Sequence, residues 1–260
     1  MTEFKTKKKF GQNFLKDKNL LDAICEDAGV TKETSVLEIG AGLGTLSESL
    51  KEKAKKVVSY EIDLDLVEIL KEKEDNVLSF VFKDILDAPL EEVESHFDGE
   101  YRIIANIPYY ITTPIIFKFL GKSKSLKSMT LMVQKEVAER IVAKPNSKDY
   151  GVLSVCCNLY GKTSIKRIVK RNMFHPAPNV DSAIVHIELE DVVLEDGLVE
   201  FVRNAFSMRR KTLLNNLSAT YGLSKTALTE RLKGYDLTRR AETFSIEEYK
   251  EIYNDFKKEI

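Results

Sequence analysis

The sequence predicts a doubly wound α/β domain followed by a small all-helical domain. Three observations carry this reading. Between Thr34 and Gln134, short apolar runs alternate with stretches of helical spacing, which is the pattern of strand–helix–strand units. The runs, such as Val36-Leu37-Glu38-Ile39 and Arg102-Ile103-Ile104-Ala105, are almost continuously apolar, as befits strands covered on both faces. From about Leu194 onward, helical patterns follow one another with no strand between them.

Taken in order, Ser35–Ile39, Lys56–Glu61, Val77–Phe82, Tyr101–Ala105 and Ser128–Gln134 are the expected strands. Thr45–Lys55, Leu64–Lys73, Leu90–His96 and Thr113–Leu120 are the helices between them. Ser164–Val169 and Ala183–Leu189 read as further strands, expected at one edge of the sheet. Glu190–Gly197 reads as a hinge, so the domains are expected at 1–190, with a basic N-terminal segment over 1–17, and at 195–260. In the second, helices are expected over Leu198–Phe206, Lys211–Tyr221, Lys225–Leu232 and Ile246–Phe256, with breaks at Gly222-Leu-Ser224 and Gly234-Tyr-Asp236.

Composition narrows the class. At 260 residues and 43% hydrophobic, the chain can bury a full core. No apolar run approaches the roughly 20 residues of a membrane span, and Lys-rich Met1–Phe14 lacks the apolar stretch of a secretory signal. A cytoplasmic protein without membrane attachment is expected. Cys25, Cys156 and Cys157 form no CxxC pair, so packed, reduced thiols are expected. His96, His175 and His186 show no ligand spacing, and no metal site is expected.

The net charge of −1 conceals segregation. Lys5, Lys7, Lys8 and Lys9 crowd the N-terminus. Lys162, Lys166, Arg167, Lys170 and Arg171 lie within Tyr150–Val180, a stretch with no acid. Arg209, Arg210 and Lys211 form a third cluster, joined by Arg203. A neutral protein can still present a basic face to phosphates, although charge runs are also ordinary solvated surface.

A ligand site is expected where Val36–Ile39 runs into Gly40-Ala-Gly42-Leu-Gly44. Glycines there allow positive φ and close backbone approach to a ligand. The second strand ends at Glu61, whose carboxylate suits both hydroxyls of a ribose. Asp84, after the third strand, suits the 6-amino group of an adenine ring. A nicotinamide dinucleotide is the competing ligand. Against it, position 45 is Thr, which breaks the G-x-G-x-x-G spacing, and Glu38 would repel a pyrophosphate. Glu38 suits the cationic sulfonium and ammonium of S-adenosylmethionine better. A plain structural turn stays open as a third reading.

The fourth strand ends in Asn106-Ile107-Pro108-Tyr109. The N6 amine of adenine is a poor nucleophile because its lone pair is delocalised into the ring. An acceptor pair, the Asn106 side-chain oxygen and the Ile107 carbonyl, would localise that lone pair. Pro108 stiffens the turn, and Tyr109 can stack on the base. In Phe174-His-Pro176-Ala-Pro178-Asn-Val-Asp181-Ser182, the prolines fix a loop that offers Phe174 as a second stacking wall. An interior packing role for Phe174 stays open.

At these residues the chain resembles the rRNA adenine N6,N6-dimethyltransferase family, its small-subunit (16S-type) branch most of all. The resemblance runs through Phe10-Gly-Gln-Asn-Phe-Leu15, Glu38-Ile-Gly-Ala-Gly-Leu-Gly44, Asn106-Ile-Pro-Tyr-Tyr-Ile111 and Gln134-Lys-Glu-Val-Ala-Glu-Arg140. It continues through Tyr150-Gly-Val-Leu-Ser154, the Phe174–Ser182 loop and Phe206-Ser-Met-Arg-Arg-Lys-Thr212. It implies a class I (Rossmann-like) S-adenosylmethionine-dependent methyltransferase domain with a small all-helical C-terminal domain that contacts RNA or the ribosome. Asn13, Leu15, Gly40, Gly42, Glu61, Asp84 and Asn106 match its cofactor-binding positions, and Tyr109 and Phe174 its base pocket. Tyr110 departs from relatives that carry Asn there.

The family implies methylation of two adjacent adenosines in the 3′-terminal hairpin loop of 16S rRNA. The partner would be the assembling small ribosomal subunit, met by a monomer. Lys166, Arg167, Lys170, Arg171, Arg209, Arg210 and Lys211 would then contact phosphates. Two rivals share the motifs in part: a large-subunit (23S) rRNA adenine methyltransferase of antibiotic-resistance type, and a non-catalytic RNA-binding assembly factor. Arg209-Arg210-Lys211-Thr212 and the helical tail favour the small-subunit branch, and the intact motifs favour an enzyme.

Overall fold

The computed structural model describes residues 14–15 and 17–258. Asn13 and the lysines of the N-terminal cluster lie outside the described residues. The chain forms two compact units, 1–138 with 162–190, and 139–161 with 191–260.

The first unit is built on a seven-stranded sheet: β1 (Ser35–Ile39), β2 (Lys56–Glu61), β3 (Leu78–Phe82), β4 (Tyr101–Asn106), β5 (Leu126–Gln134), β6 (Gly161–Val169) and β7 (Ser182–Leu189), in the order β3-β2-β1-β4-β5-β7-β6. The strands β1 to β5 pair in parallel, with β1 between β2 and β4. β7 runs antiparallel to β5 in the register Gln134↔Ser182, and β6 is outermost. The two late strands do occupy one edge.

The apolar runs are strands for the expected reason. Val36, Leu37, Ile39, Val57, Val58 and Tyr60 are all buried, so both faces of the sheet are covered. Strand order reverses at β1 and β4, which opens a crevice at their carboxyl ends. The loops after β1 to β4 all emerge at that crevice.

One helix of this unit went unread in the sequence. Lys18–Asp27 starts at Asp17, whose side chain accepts from the Leu20 amide at 3.0 Å, and it buries Leu21, Ile24 and Cys25.

The second unit is helical. Its core includes an aromatic cluster in which Phe201 lies 5.3 Å from Tyr253 and 5.2 Å from Phe256 between ring centroids. The helix Leu213–Tyr221 ends at Gly222, in the left-handed region at φ +67°, and the next begins at Ser224, whose hydroxyl accepts from the Ala227 amide. That is the expected break. The sequence boundary needs one correction: residues 139–161 belong to this unit, not to the first. The helix Val152–Tyr160 packs with Leu198–Ala205 and Ile246–Lys257, and the Tyr150 hydroxyl donates to the Phe244 carbonyl at 3.0 Å.

Cys25, Cys156 and Cys157 are all buried and free. No group of metal-ligating side chains occurs among the described residues. None of the described helices is long and apolar enough to cross a membrane.

Candidate active site

A cavity of about 300 Å³ lies at the carboxyl ends of β1 to β4. Its wall comes from the glycine loop after β1, from Glu61 and Ile62, from Lys83 to Leu86, from Asn106 to Ile111, and from Leu15. Residues chosen from separate stretches of sequence thus meet around one space.

Gly40, Gly42 and Gly44 all sit at positive φ, at +82°, +55° and +76°. A Cβ at Gly44 would also lie 2.9 Å from Lys73 Cδ, so a side chain there would push Lys73 aside in addition to straining the backbone. The loop is laced to the second strand. The Gly40 amide donates to the Tyr60 carbonyl, and the Gly42 amide donates to Glu61 Oε2, each at 2.8 Å. The amides of Ile62 and Asp63 donate to Glu61 Oε1 at 2.8 Å each. Burial pushes the Glu61 carboxyl above its ordinary value, while these amide donors pull it back. With three donors fixing its oxygens, this carboxylate is immobile and keeps acceptor capacity toward the cavity.

Leu15 is held in place by two contacts. Its carbonyl accepts from Thr45 Oγ1 at 3.0 Å, and its strand residue pairs with Phe174. Asp84 is half-buried on the cavity wall, with Oδ1 accepting from the Leu86 amide at 2.8 Å. Lys118 Nζ donates to the carbonyls of Leu86 and Ala88, at 3.2 and 2.5 Å, which steadies the loop that carries Asp84.

At the end of β4, Ile107 is buried and Pro108 opens a turn in which the Ile111 amide donates to the Pro108 carbonyl at 3.1 Å. Tyr109 is half-buried, its hydroxyl 2.8 Å from Ser182 Oγ, and Tyr110 is 63% exposed at the rim. A Cβ on Gly40 would lie 3.5 Å from the Asn106 carbonyl, so the glycine loop and the Asn-Ile-Pro-Tyr turn are in close approach.

Three expectations come out differently. Glu38 does not face the cavity. It is fully buried, and its Oε2 accepts from Ser47 Oγ at 2.5 Å and Ser59 Oγ at 2.6 Å, while Oε1 has no partner. It braces the glycine-loop helix against the neighbouring strand instead of greeting a cation. Phe174 is buried beside Leu15 and is not part of the cavity wall. The basic stretch is less free than its sequence suggests. Asp27 takes Arg167 in a two-pronged pair, and Asp181 takes Lys170 at 2.9 Å although Lys170 is exposed, whereas Lys166 and Arg171 are exposed outside those two pairs. Arg209, Arg210 and Lys211 are exposed in the second unit, where Arg209 also donates to the Lys148 carbonyl at 2.8 Å.

Burial raises the Glu38 carboxyl from 4.5 to about 7, against the opposing pull of the two serine hydroxyls. Its folded value therefore exceeds its unfolded one, so its contribution to stability is full below about pH 4.5 and is lost as pH rises through about 7. Glu38→Gln should remove that loss. Thermal melts from about pH 5 to about pH 8 should show a decline in wild type that is shallower in the variant. Parallel declines would show that Glu38 titrates normally.

Comparison with known proteins agrees with this geometry. The family model for ribosomal RNA adenine dimethylase matches residues 3–258. A "Ribosomal RNA small subunit methyltransferase A" of Clostridium botulinum is 44% identical over 95% of this chain and 92% of its own. One from Listeria monocytogenes is 42% identical over 98% and 93%. Among solved structures, a dimethyladenosine transferase from Plasmodium falciparum superposes with a TM-score of 0.80 at 28% identity, over 94% of this chain and 98% of its own. The 23S rRNA methyltransferase ErmE superposes with a TM-score of 0.69 at 25% identity, over 94% and 99%. The chain belongs to the ribosomal RNA adenine dimethylase family, and is a class I S-adenosylmethionine-dependent methyltransferase acting on rRNA adenine.

Proposed function

We propose that this chain methylates the N6 amines of two adjacent adenosines in the 3′-terminal hairpin loop of 16S rRNA, giving N6,N6-dimethyladenosine. The observation that carries the proposal is the meeting of Glu61, Asp84 and Asn106-Ile107-Pro108-Tyr109 on a single cavity wall. Identity of 42–44% to proteins named for the small subunit, against 25% to ErmE, favours the small-subunit substrate over the large. The substrate would be an assembling subunit in the cytoplasm.

The residues present fit the cofactor. Fixed carboxylate oxygens at Glu61 suit two ribose hydroxyls, Asp84 suits an exocyclic amine, and Gly40 and Gly42 let backbone come close. Leu15 closes an apolar side. S-adenosylmethionine supplies an electrophilic methyl group on a cationic sulfur when bound. The chain's part is to prepare the amine. Asn106 and the Ile107 carbonyl would accept its hydrogens and so localise the nitrogen lone pair. Tyr109 would hold the base, extruded from its stack, by ring contact. No residue need act as base beforehand, since the proton can leave to solvent after transfer.

Docking of the RNA needs cations that are not already committed. In the first unit, the exposed Lys166 and Arg171 meet that condition better than Arg167 and Lys170, which are held by Asp27 and Asp181. Arg209, Arg210 and Lys211 would serve the same end from the second unit. Replacing Lys166 and Arg171 with Gln should flatten the salt dependence of RNA binding by about 0.7–0.9 log units per lost contact. Replacing Arg167 and Lys170 should flatten it less. Equal effects from both pairs would show that the ion pairs do not restrain these cations.

The substrate itself is tested by incubating purified protein and labelled S-adenosylmethionine with small or large subunits lacking the modification. Label entering only small-subunit rRNA is expected. Label entering only the large subunit would overturn the proposal.

A further inference from the structure

The sequence assigns the loop Phe174–Ser182 a role through Phe174, yet Phe174 is buried behind the wall residue Leu15 and is not itself on the cavity wall. The loop's last residue meets the site through one wall residue, Tyr109. Ser182 is the first residue of β7, fully buried, and sits opposite Gln134 of the antiparallel neighbour β5. That pairing puts its hydroxyl at the carboxyl edge of the parallel strands, where the Asn-Ile-Pro-Tyr turn lies. Ser182 Oγ is 2.8 Å from the Tyr109 hydroxyl.

Tyr109 is thus restrained at both ends. Its backbone belongs to the turn closed by the Ile111 amide on the Pro108 carbonyl, and Thr112 Oγ1 donates to the Tyr109 carbonyl at 3.4 Å. Its far end is tied to Ser182. Ser182 is itself anchored: the Lys135 amide donates to the carbonyl of adjacent Asp181 at 3.0 Å, and the Asp181 carboxylate accepts from the Arg171 amide at 3.0 Å. A ring tied only at Cβ would sample several orientations and lose that freedom on stacking with a base. A ring tied at both ends has lost it beforehand.

We infer that Ser182 is a positioning residue that fixes the direction in which the Tyr109 ring points toward the target adenine through its hydroxyl–hydroxyl bond. The inference rests on the reading of Tyr109 as the base-holding wall. In Tyr109→Phe the ring stays but its tether is cut, so the variant should resemble Ser182→Ala.

The test is a double-mutant cycle in single-turnover methylation of unmethylated small subunits, with Ser182→Ala, Tyr109→Phe, the double variant and Tyr109→Ala. Ser182→Ala and Tyr109→Phe should each lower the single-turnover rate by about two- to tenfold, the range that one neutral hydrogen bond supports. The half-saturating concentration of subunits should stay unchanged. The double variant should be no slower than either single one, because both remove the same bond. A general loss of packing at Ser182 would instead multiply with Tyr109→Phe. Rates that multiply, or a Ser182→Ala rate equal to wild type while Tyr109→Ala is slow, would overturn the role of Ser182 alone. A Tyr109→Ala rate equal to wild type would overturn the reading of Tyr109 itself. Because the bond is cut from either side, a Ser182→Ala protein that failed to fold would leave Tyr109→Phe to decide: a wild-type rate there overturns the inference, and a slowed one supports it.

Discussion

Asn106→Ala should lower the single-turnover rate of methylation by about 10²–10³ at saturating cofactor, while RNA binding changes little. Asn106 ends β4 on the cavity wall, beside the glycine loop. Its proposed work is done as the amine nitrogen turns tetrahedral, so its loss should fall on the chemical step more than on binding. Saturating cofactor matters because Asn106 is also expected to touch S-adenosylmethionine. The second methylation sharpens the test. A monomethylated amine has one hydrogen left and cannot satisfy two acceptors, so the variant should also change the ratio of mono- to dimethyladenosine. Mass spectrometry of digested rRNA after timed reactions reads both. A near wild-type rate and ratio would remove Asn106 from the chemistry.

Glu61→Ala should weaken S-adenosylmethionine binding by about 2–3 kcal/mol, or roughly 30- to 150-fold, as loss of a charge-assisted contact does. The structure adds a second cause. Glu61 accepts from the amides of Gly42, Ile62 and Asp63, so its removal also unties the glycine loop. Glu61→Gln should therefore lose much of the affinity too, since an amide offers one acceptor oxygen where the carboxylate offers two. Titration calorimetry with the cofactor alone decides this without RNA. Unchanged affinity in both variants would place the ribose elsewhere.

The parallel sheet was legible because its strands are buried on both faces. β1 and β2 run over Ser35–Ile39 and Lys56–Glu61, the residues read from their apolar runs. The helix Val152–Tyr160 was not legible, for the same reason in reverse. Its sequence VLSVCCNLY has almost no polar face, so no helical period shows, and its burial in the second unit is a tertiary fact. Lys18–Asp27 carried a usable signal, the Asp17 cap with Leu21, Ile24 and Cys25 at helical spacing, but it lies between the basic segment 1–17 and the first strand and received no element.

The site divides along similar lines. Gly40, Glu61, Asp84 and Asn106 were legible because strand ends and turns mark them. The direction in which Glu38 points was not, since an apolar run buried on both faces does not say which face holds a partner; Ser47 and Ser59 supply that. Nor was the fate of Arg167, whose partner Asp27 stands 140 residues away. Ser182 shows in the sequence only as the end of a loop. Its bond to Tyr109 depends on the β5–β7 register, which no local pattern encodes.

The most direct measurement is a methylation map of rRNA from cells with and without this protein. The account predicts N6,N6-dimethyladenosine at two adjacent positions near the 3′ end of small-subunit rRNA, present with the protein and absent without it. Identical maps, or a difference confined to large-subunit rRNA, would contradict it.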